Sequence, residues 1–230
     1  MRIRRLVSLL LLLATLARGA ERVVLADDFA HGLSLWSVEQ MPGGRVFTED
    51  GRLVIDDAAG CTVWFREKLR APVTIRYRAT VSARSRVSDL NCFWMASDPG
   101  HPEPLWENAA RRTGKFEDYD RLATYYVGCG GNENTTTRFR RYDGKGAKPL
   151  LPEHDRRDRG SLLEADRTYS IEINVTAEGR VRWSRDGVVV FDFTDPQPLR
   201  EGWFGLRTVH SRIEIAGFQV TAPVSTVAAP

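Results

Sequence analysis

Cysteine is scarce in this 230-residue chain: Cys61, Cys92 and Cys129 are the full set. Three thiols close at most one disulfide, so no disulfide framework holds the fold, and their spacing matches no zinc motif. Each serves equally well as a small buried hydrophobe. Long apolar runs are missing after residue 16, which leaves no second membrane span and no stop-transfer segment. There is no helical periodicity longer than a turn or two, no internal repeat, and no composition shift that marks a second domain. An excess of charge is missing too. The 33 basic side chains include Arg2, Arg4, Arg5 and Arg18; without those four, 29 basic groups face 30 acidic ones. A nucleic-acid partner requires a net basic surface, so none is expected.

Those four arginines belong to a segment that reads as a signal peptide over residues 1–19. Residues 6–16 form an apolar stretch of eleven, where a bilayer span needs about 20. Cleavage after Gly19 would place Ala17 at the −3 position. The expectation is a secreted or periplasmic monomer without membrane attachment after cleavage. It would consist of one domain over residues 21–222 and a disordered tail over 223–230.

What is present reads as an all-β chain. Residues 73–82 alternate with period two, with Val73, Ile75, Tyr77, Ala79 and Val81 on one face and Thr74, Arg76, Arg78 and Thr80 on the other. Residues 168–176 alternate in the same way around Tyr169, Ile171, Ile173 and Val175. Asp50-Gly51 and Asp186-Gly187 are strong hairpin turns. Residues 90–96 form a compact apolar run that reads as a central strand. In strict alternation, Asn91 shares a face with Phe93 and Met95, and Trp94 shares one with Cys92 and Ala96. About a dozen short strands separated by turns predict a sandwich or barrel. Two irregular polar excursions, 101–115 and 144–160, interrupt the middle third. Loops of that length tend to carry function.

Between them lies the most unusual stretch, residues 119–142, two strand-like halves around a Gly/Asn knot. Its density of tyrosine and arginine is costly to bury. On the second half, Arg138, Arg140 and Tyr142 point one way and Phe139 and Arg141 the other. Arg138, Arg140 and Tyr142 would therefore face a cleft, or else form a solvated sheet face. Tyr125 and Tyr126 face opposite sides, and Tyr126 is assigned to the cleft. Asn91, Trp94 and Trp106 are further candidates for contact with a sugar, Trp94 having core packing as its alternative. His154, between Glu153 and Asp155, is the histidine best placed for acid–base work. Asn132, Glu133 and Asn134 offer oxygen ligands for a structural calcium ion, or act as a turn cap. No other cofactor or metal is expected.

The last third resembles the concanavalin A-like lectin/glucanase superfamily. The carrying residues are 169–173, the hairpin 182–187, the closing strand Gly202-Trp203-Phe204-Gly205-Leu206-Arg207-Thr208, and 213–218. The resemblance implies a jelly-roll β-sandwich of two antiparallel sheets and is nearly silent on activity. The middle third, over 88–96, 124–128, 131–142 and 149–151, is similar to a secreted bacterial family akin to proteins of rhamnogalacturonan-utilisation loci. That similarity implies action on a polysaccharide, more so an acidic one. The paired-carboxylate strand of laminarinase-type hydrolases is absent, the nearest approach being Glu117-Asp118-Tyr119-Asp120. Alginate-lyase-type members are matched in part, by Tyr125-Tyr126-Val127-Gly128 with Arg138 and Arg140. In a lyase or hydrolase, His154, Tyr126 and Arg138 would be the catalytic set, and Arg140, Tyr142, Asn91, Trp94, Trp106, Asn132 and Asn134 would bind substrate. The alternative is a non-catalytic carbohydrate-binding module or a structural, partner-binding domain.

Overall fold

The computed structural model describes residues 20–224, side chains of 108–110 excepted; the segment read as a signal peptide and the chain beyond 224 lie outside it. Sixteen strands follow one another: β1 (Glu21–Asp27), β2 (Trp36–Gln40), β3 (Arg45–Glu49), β4 (Arg52–Asp56), β5 (Cys61–Phe65), β6 (Leu69–Arg70), β7 (Val73–Val81), β8 (Asn91–Ser97), β9 (Ala123–Gly130), β10 (Thr136–Asp143), β11 (Asp155–Arg156), β12 (Thr168–Val175), β13 (Arg180–Arg185), β14 (Val188–Thr194), β15 (Glu201–Thr208) and β16 (Arg212–Pro223). They form two antiparallel sheets of eight. The back sheet runs β14-β13-β12-β7-β16-β4-β3, with β1 also on β16; the front sheet runs β11-β10-β9-β8-β15-β5-β2, with β6 also on β15. Of the sandwich or barrel that the alternating strands predict this is the sandwich, in the jelly-roll form that the resemblance implies.

The local rules explain the frame. β3 and β4 close on Asp50 and Gly51, both with positive φ, and β13 and β14 close on Asp186 and Gly187 likewise. The buried face of β7 is the one read from its alternation, Val73, Ile75, Tyr77, Ala79 and Val81, and it meets the inward face of β12. The main core between the sheets also takes all three cysteines, each buried with a free thiol. Burial pushes the Cys92 thiol up to about 12, so it packs as a neutral group.

The front sheet is covered on both faces. A second apolar cluster lies on its outer side: Trp64, Phe93, Ala96, Leu105, Tyr119, Leu122, Tyr126, Tyr142 and Trp203, with Trp106 and Phe116 packed against it. The first polar excursion and the residues just after it supply its lid, through two 3-10 turns at Leu105–Arg111 and Phe116–Tyr119. A buried ion pair fastens that lid to β2. The Glu39 carboxylate accepts from Arg112 Nε at 2.9 Å, Trp64 Nε1 at 2.9 Å and the Tyr119 hydroxyl at 2.9 Å. Burial pushes the Glu39 carboxyl above its ordinary range against the pull of Arg112.

Strict alternation fails in β8. Met95 has φ +50°, and the pairing with β9 shifts between Trp94 and Ser97. This bulge sends Met95 into the main core with Cys92 and Trp94, and turns Ala96 outward beside Phe93. Asn91 and Phe93 share the outer face as expected; Met95 does not.

Candidate functional site

The register of the front sheet sets two rows of side chains across its outer face. In the first, Glu39 of β2 pairs with Thr62 of β5, Thr62 with Arg207 of β15, and Arg207 with Asn91 of β8. The Cys92–Val127 pairing then brings Gly128 of β9 beside Asn91, and Gly128 pairs with Arg138 of β10, which pairs with Asp155 of β11. The second row runs Trp64, Gly205, Phe93, Tyr126, Arg140. The two-residue side-chain period puts both rows on this face, the first mostly polar and the second aromatic in Trp64, Phe93 and Tyr126. Gly205 belongs to the aromatic row because the Trp64 ring lies across it. A Cβ there would stand 2.6 Å from that ring.

Where the lid ends, the two rows open into a trough of about 480 Å³. Arg86, Asp89, Asn91, Phe116, Tyr126, Gly128, Asn132, Glu133, Arg138, Arg140, Tyr142, Lys148 and Arg207 line it. Five cations there face two carboxylates, Asp89 and Glu133. Asp155 holds Arg138 through two hydrogen bonds, 2.8 and 3.3 Å. Lys148 is paired with Asp120, and Arg140 donates to the Lys148 carbonyl. Arg86 donates to Asp89 at 3.1 Å and to the Val209 carbonyl at 2.7 Å. Asp89 also receives Asn91 Nδ2 at 3.1 Å and the Ser88 hydroxyl.

Buried polar atoms are almost always hydrogen-bonded in a folded protein. Four that are not belong to residues of this one trough: Arg86 Nε, Asn91 Oδ1, the Tyr142 hydroxyl and Arg207 Nε. Burial raises the Tyr126 and Tyr142 phenols well above the ordinary tyrosine range, so both stay protonated at neutral pH.

Six of the ten residues picked from sequence meet here: Asn91, Tyr126, Asn132, Arg138, Arg140 and Tyr142. Tyr125 is in the main core, with its hydroxyl on Asp195 at 2.7 Å. Four picks fall elsewhere. His154 is buried on the other side of β10, its ring edge-on to Phe139, Phe191 and Phe193 at 4.8, 5.9 and 5.6 Å. Trp94 is in the main core against Tyr125 and Phe139, because its odd–even position on β8 points it inward. Trp106, in the first turn of the lid, packs edge-on to Trp203 and does not line the trough. Asn134 is tied to the backbone of Leu163, giving one hydrogen bond at 2.9 Å and accepting one at 2.8 Å.

The Gly/Asn knot is a left-handed turn. Asn132, Glu133 and Asn134 have φ of +51°, +58° and +61°, a backbone disfavoured for residues with a Cβ. The Asn134 side-chain oxygen expected for calcium is occupied by Leu163, and no cluster of three His, Cys, Asp or Glu suited to a metal occurs among the described residues.

Arg86, Phe116, Lys148 and Arg207 were missed. A signal existed for Arg207, a lone charge inside the apolar closing strand Trp203-Phe204-Gly205-Leu206-Arg207. It sits two residues after Gly205 and therefore on the same face.

The family match runs over residues 55–218, through the trough and all of both rows except Glu39, and carries the description domain of unknown function. The chain belongs to the DUF6250 family. No curated protein matches it in sequence. Among solved structures the DUF6250 fold is similar to a Bacillus subtilis protein of unknown function with a galectin-like fold. The TM-score is 0.65 at 15% identity, over 89% of this chain and 100% of that one. It is also similar to the carbohydrate-binding module CBM66 from Bacillus subtilis, with TM-score 0.56 at 10% identity over 83% and 97% of the two chains. An endo-β-1,3-glucanase from Pyrococcus furiosus gives TM-score 0.55 at 13% identity over 90% and 96%. At such identities the likeness speaks for the jelly-roll, lectin-like fold alone.

Proposed function

We propose that the trough holds a stretch of polysaccharide or oligosaccharide outside the cytoplasm, and that the protein acts there as a binding module. The observation that carries this reading is the pairing of an aromatic row with a polar row whose buried atoms lack partners. Sugars present apolar ring faces edged by hydroxyls, and such a surface meets both. Three of the five cations are paired with Asp155, Asp120 and Asp89; Arg140 and Arg207, held by carbonyl and hydroxyl oxygens, favour an acidic chain. The fold is shared with a protein named as a carbohydrate-binding module and with one named as a glucanase, which agrees with a glycan as the partner.

Catalysis has less support. Hydrolysis needs two carboxyls flanking the bond, one of them protonated. Of the two carboxylates in the trough, Asp89 is engaged by three donors and Glu133 is 80% exposed on the left-handed turn. Elimination needs a base, and His154 faces the opposite side of β10. One observation keeps a lyase as the second reading: the Tyr142 hydroxyl is buried in the trough without a partner, beside Arg140.

A panel of neutral and acidic polysaccharides tests both. Calorimetric binding of at least one glycan with no rise in unsaturated-uronate absorbance is the expected result. A rise in absorbance would move the assignment to a lyase, and a panel with no binding would remove the saccharide reading.

A further inference from the structure

Arg207 differs from the other arginines of the front sheet. It is 1% exposed. In the same row Arg138 is held by the carboxylate of Asp155, and at the far end the carboxylate of Glu39 is taken by Arg112. Among the described residues no carboxylate lies within ion-pair distance of Arg207. Its hydrogen bonds run from Nη1 alone, to Thr62 Oγ1 at 3.0 Å and the Gly114 carbonyl at 2.9 Å. Gly114, at φ +95°, brings that carbonyl in from the lid. Nε is buried and unpartnered. The Phe116 ring, half-buried and part of the trough wall, covers the guanidinium with its centroid 4.8 Å from Cζ.

A buried guanidinium without a counter-ion is unfavourable unless an anion arrives to pair with it. The edge left over after Nη1 is used is Nε with Nη2, two parallel N–H donors in one plane. That edge matches the two oxygens of a carboxylate. A sulfate ester would bring a third oxygen for which the edge has no donor. We infer that Arg207 is the carboxylate subsite of the trough, taking the acid group of a uronic-acid residue on its Nε–Nη2 edge beneath Phe116, with Asn91 beside it. The inference rests on the saccharide reading and narrows it to uronate-bearing chains.

The test compares uronic-acid oligosaccharides, galacturonate and mannuronate among them, with their carboxyl-reduced neutral forms and with sulfated oligosaccharides of equal length. Binding is measured by calorimetry on the wild-type protein and on Arg207→Lys. The wild type should prefer an acidic oligosaccharide over its reduced form by roughly 10- to 100-fold, the range for a hydrogen-bonded charged pair. Arg207→Lys keeps the charge and loses the fork, and should erase most of that preference, read as the ratio of acidic to reduced affinity within the variant. Equal binding of acidic and reduced forms, or tighter binding of sulfated ones, overturns the subsite and leaves the saccharide trough standing. Silence from every oligosaccharide removes both. If Arg207→Lys does not fold, the ligand series on the wild type decides alone.

Discussion

His154 and Asp155 are consecutive in the chain and serve opposite sides of β10. The imidazole is packed edge-on among Phe139, Phe191 and Phe193, while the Asp155 carboxylate grips Arg138 at the margin of the trough. One peptide step therefore separates an apolar anchor from a polar clamp.

The anchor has a pH signature. Burial lowers the His154 pKa from its ordinary 6.5, so the unfolded chain takes up a proton more readily than the folded one. The corresponding stability is complete above about pH 6.5 and falls away as the pH drops through the depressed folded value. His154→Phe should flatten this part of the curve in thermal melts across that range. It should cost less than about 1.5 kcal/mol, as a swap of similar volume, and leave glycan affinity unchanged. Loss of glycan binding in this variant would place His154 back in the site.

The clamp responds at lower pH. Hydrogen bonds from Arg138 and Arg157 hold the Asp155 carboxyl at about 2, below its ordinary 3.8. Its contribution is therefore present above about pH 3.8 and lost as the pH falls toward 2. Both side chains are partly solvated, so Asp155→Asn should cost less than about 1 kcal/mol at neutral pH. The variant should lose the matching acid-side slope, read from melting temperature against pH. An unchanged slope would mean that the pair does not form in solution.

Gly205→Ala should damage the aromatic row. Its Cβ would stand 2.6 Å from the Trp64 ring, which cannot shift without disturbing Phe93 and Tyr119. The cost should be about 1–3 kcal/mol, as for other overpacked cores, with a changed tryptophan emission spectrum and weaker glycan binding. A variant that melts like the wild type would contradict the packing described.

The frame was legible because it rests on short-range rules. The alternation of β7 and β12 gave their buried faces, the two Asp-Gly turns gave hairpins, and the phase of β10 put Arg138, Arg140 and Tyr142 on one side. The choice of Tyr126 over Tyr125 followed from the same rule. What escaped depends on partners distant in sequence. A histidine between two acids reads as an acid–base candidate, and only the meeting of β10 with β14 buries it among aromatic rings. The bulge at Met95 requires a positive φ at a residue that does not advertise one. Arg86 and Phe116 enter the trough from segments with no period. Arg207 sits in a strand that carries the resemblance to the superfamily, and there it was read as framework.

The lid over Trp64 and Phe93 is joined to the sandwich through the Glu39 carboxylate, which holds Arg112 and Tyr119, through Arg207 on the Gly114 carbonyl, through the close approach of Gly114 to Gly60, and through the packing of Leu105 and Tyr119 in the outer cluster. A surface segment of this kind can open as a unit of its own, at a free energy below that of global unfolding, while the remainder stays folded. The wall that Phe116 lends to the trough therefore has its own equilibrium. The apparent affinity for any glycan scales with the fraction of molecules in which that wall is in place.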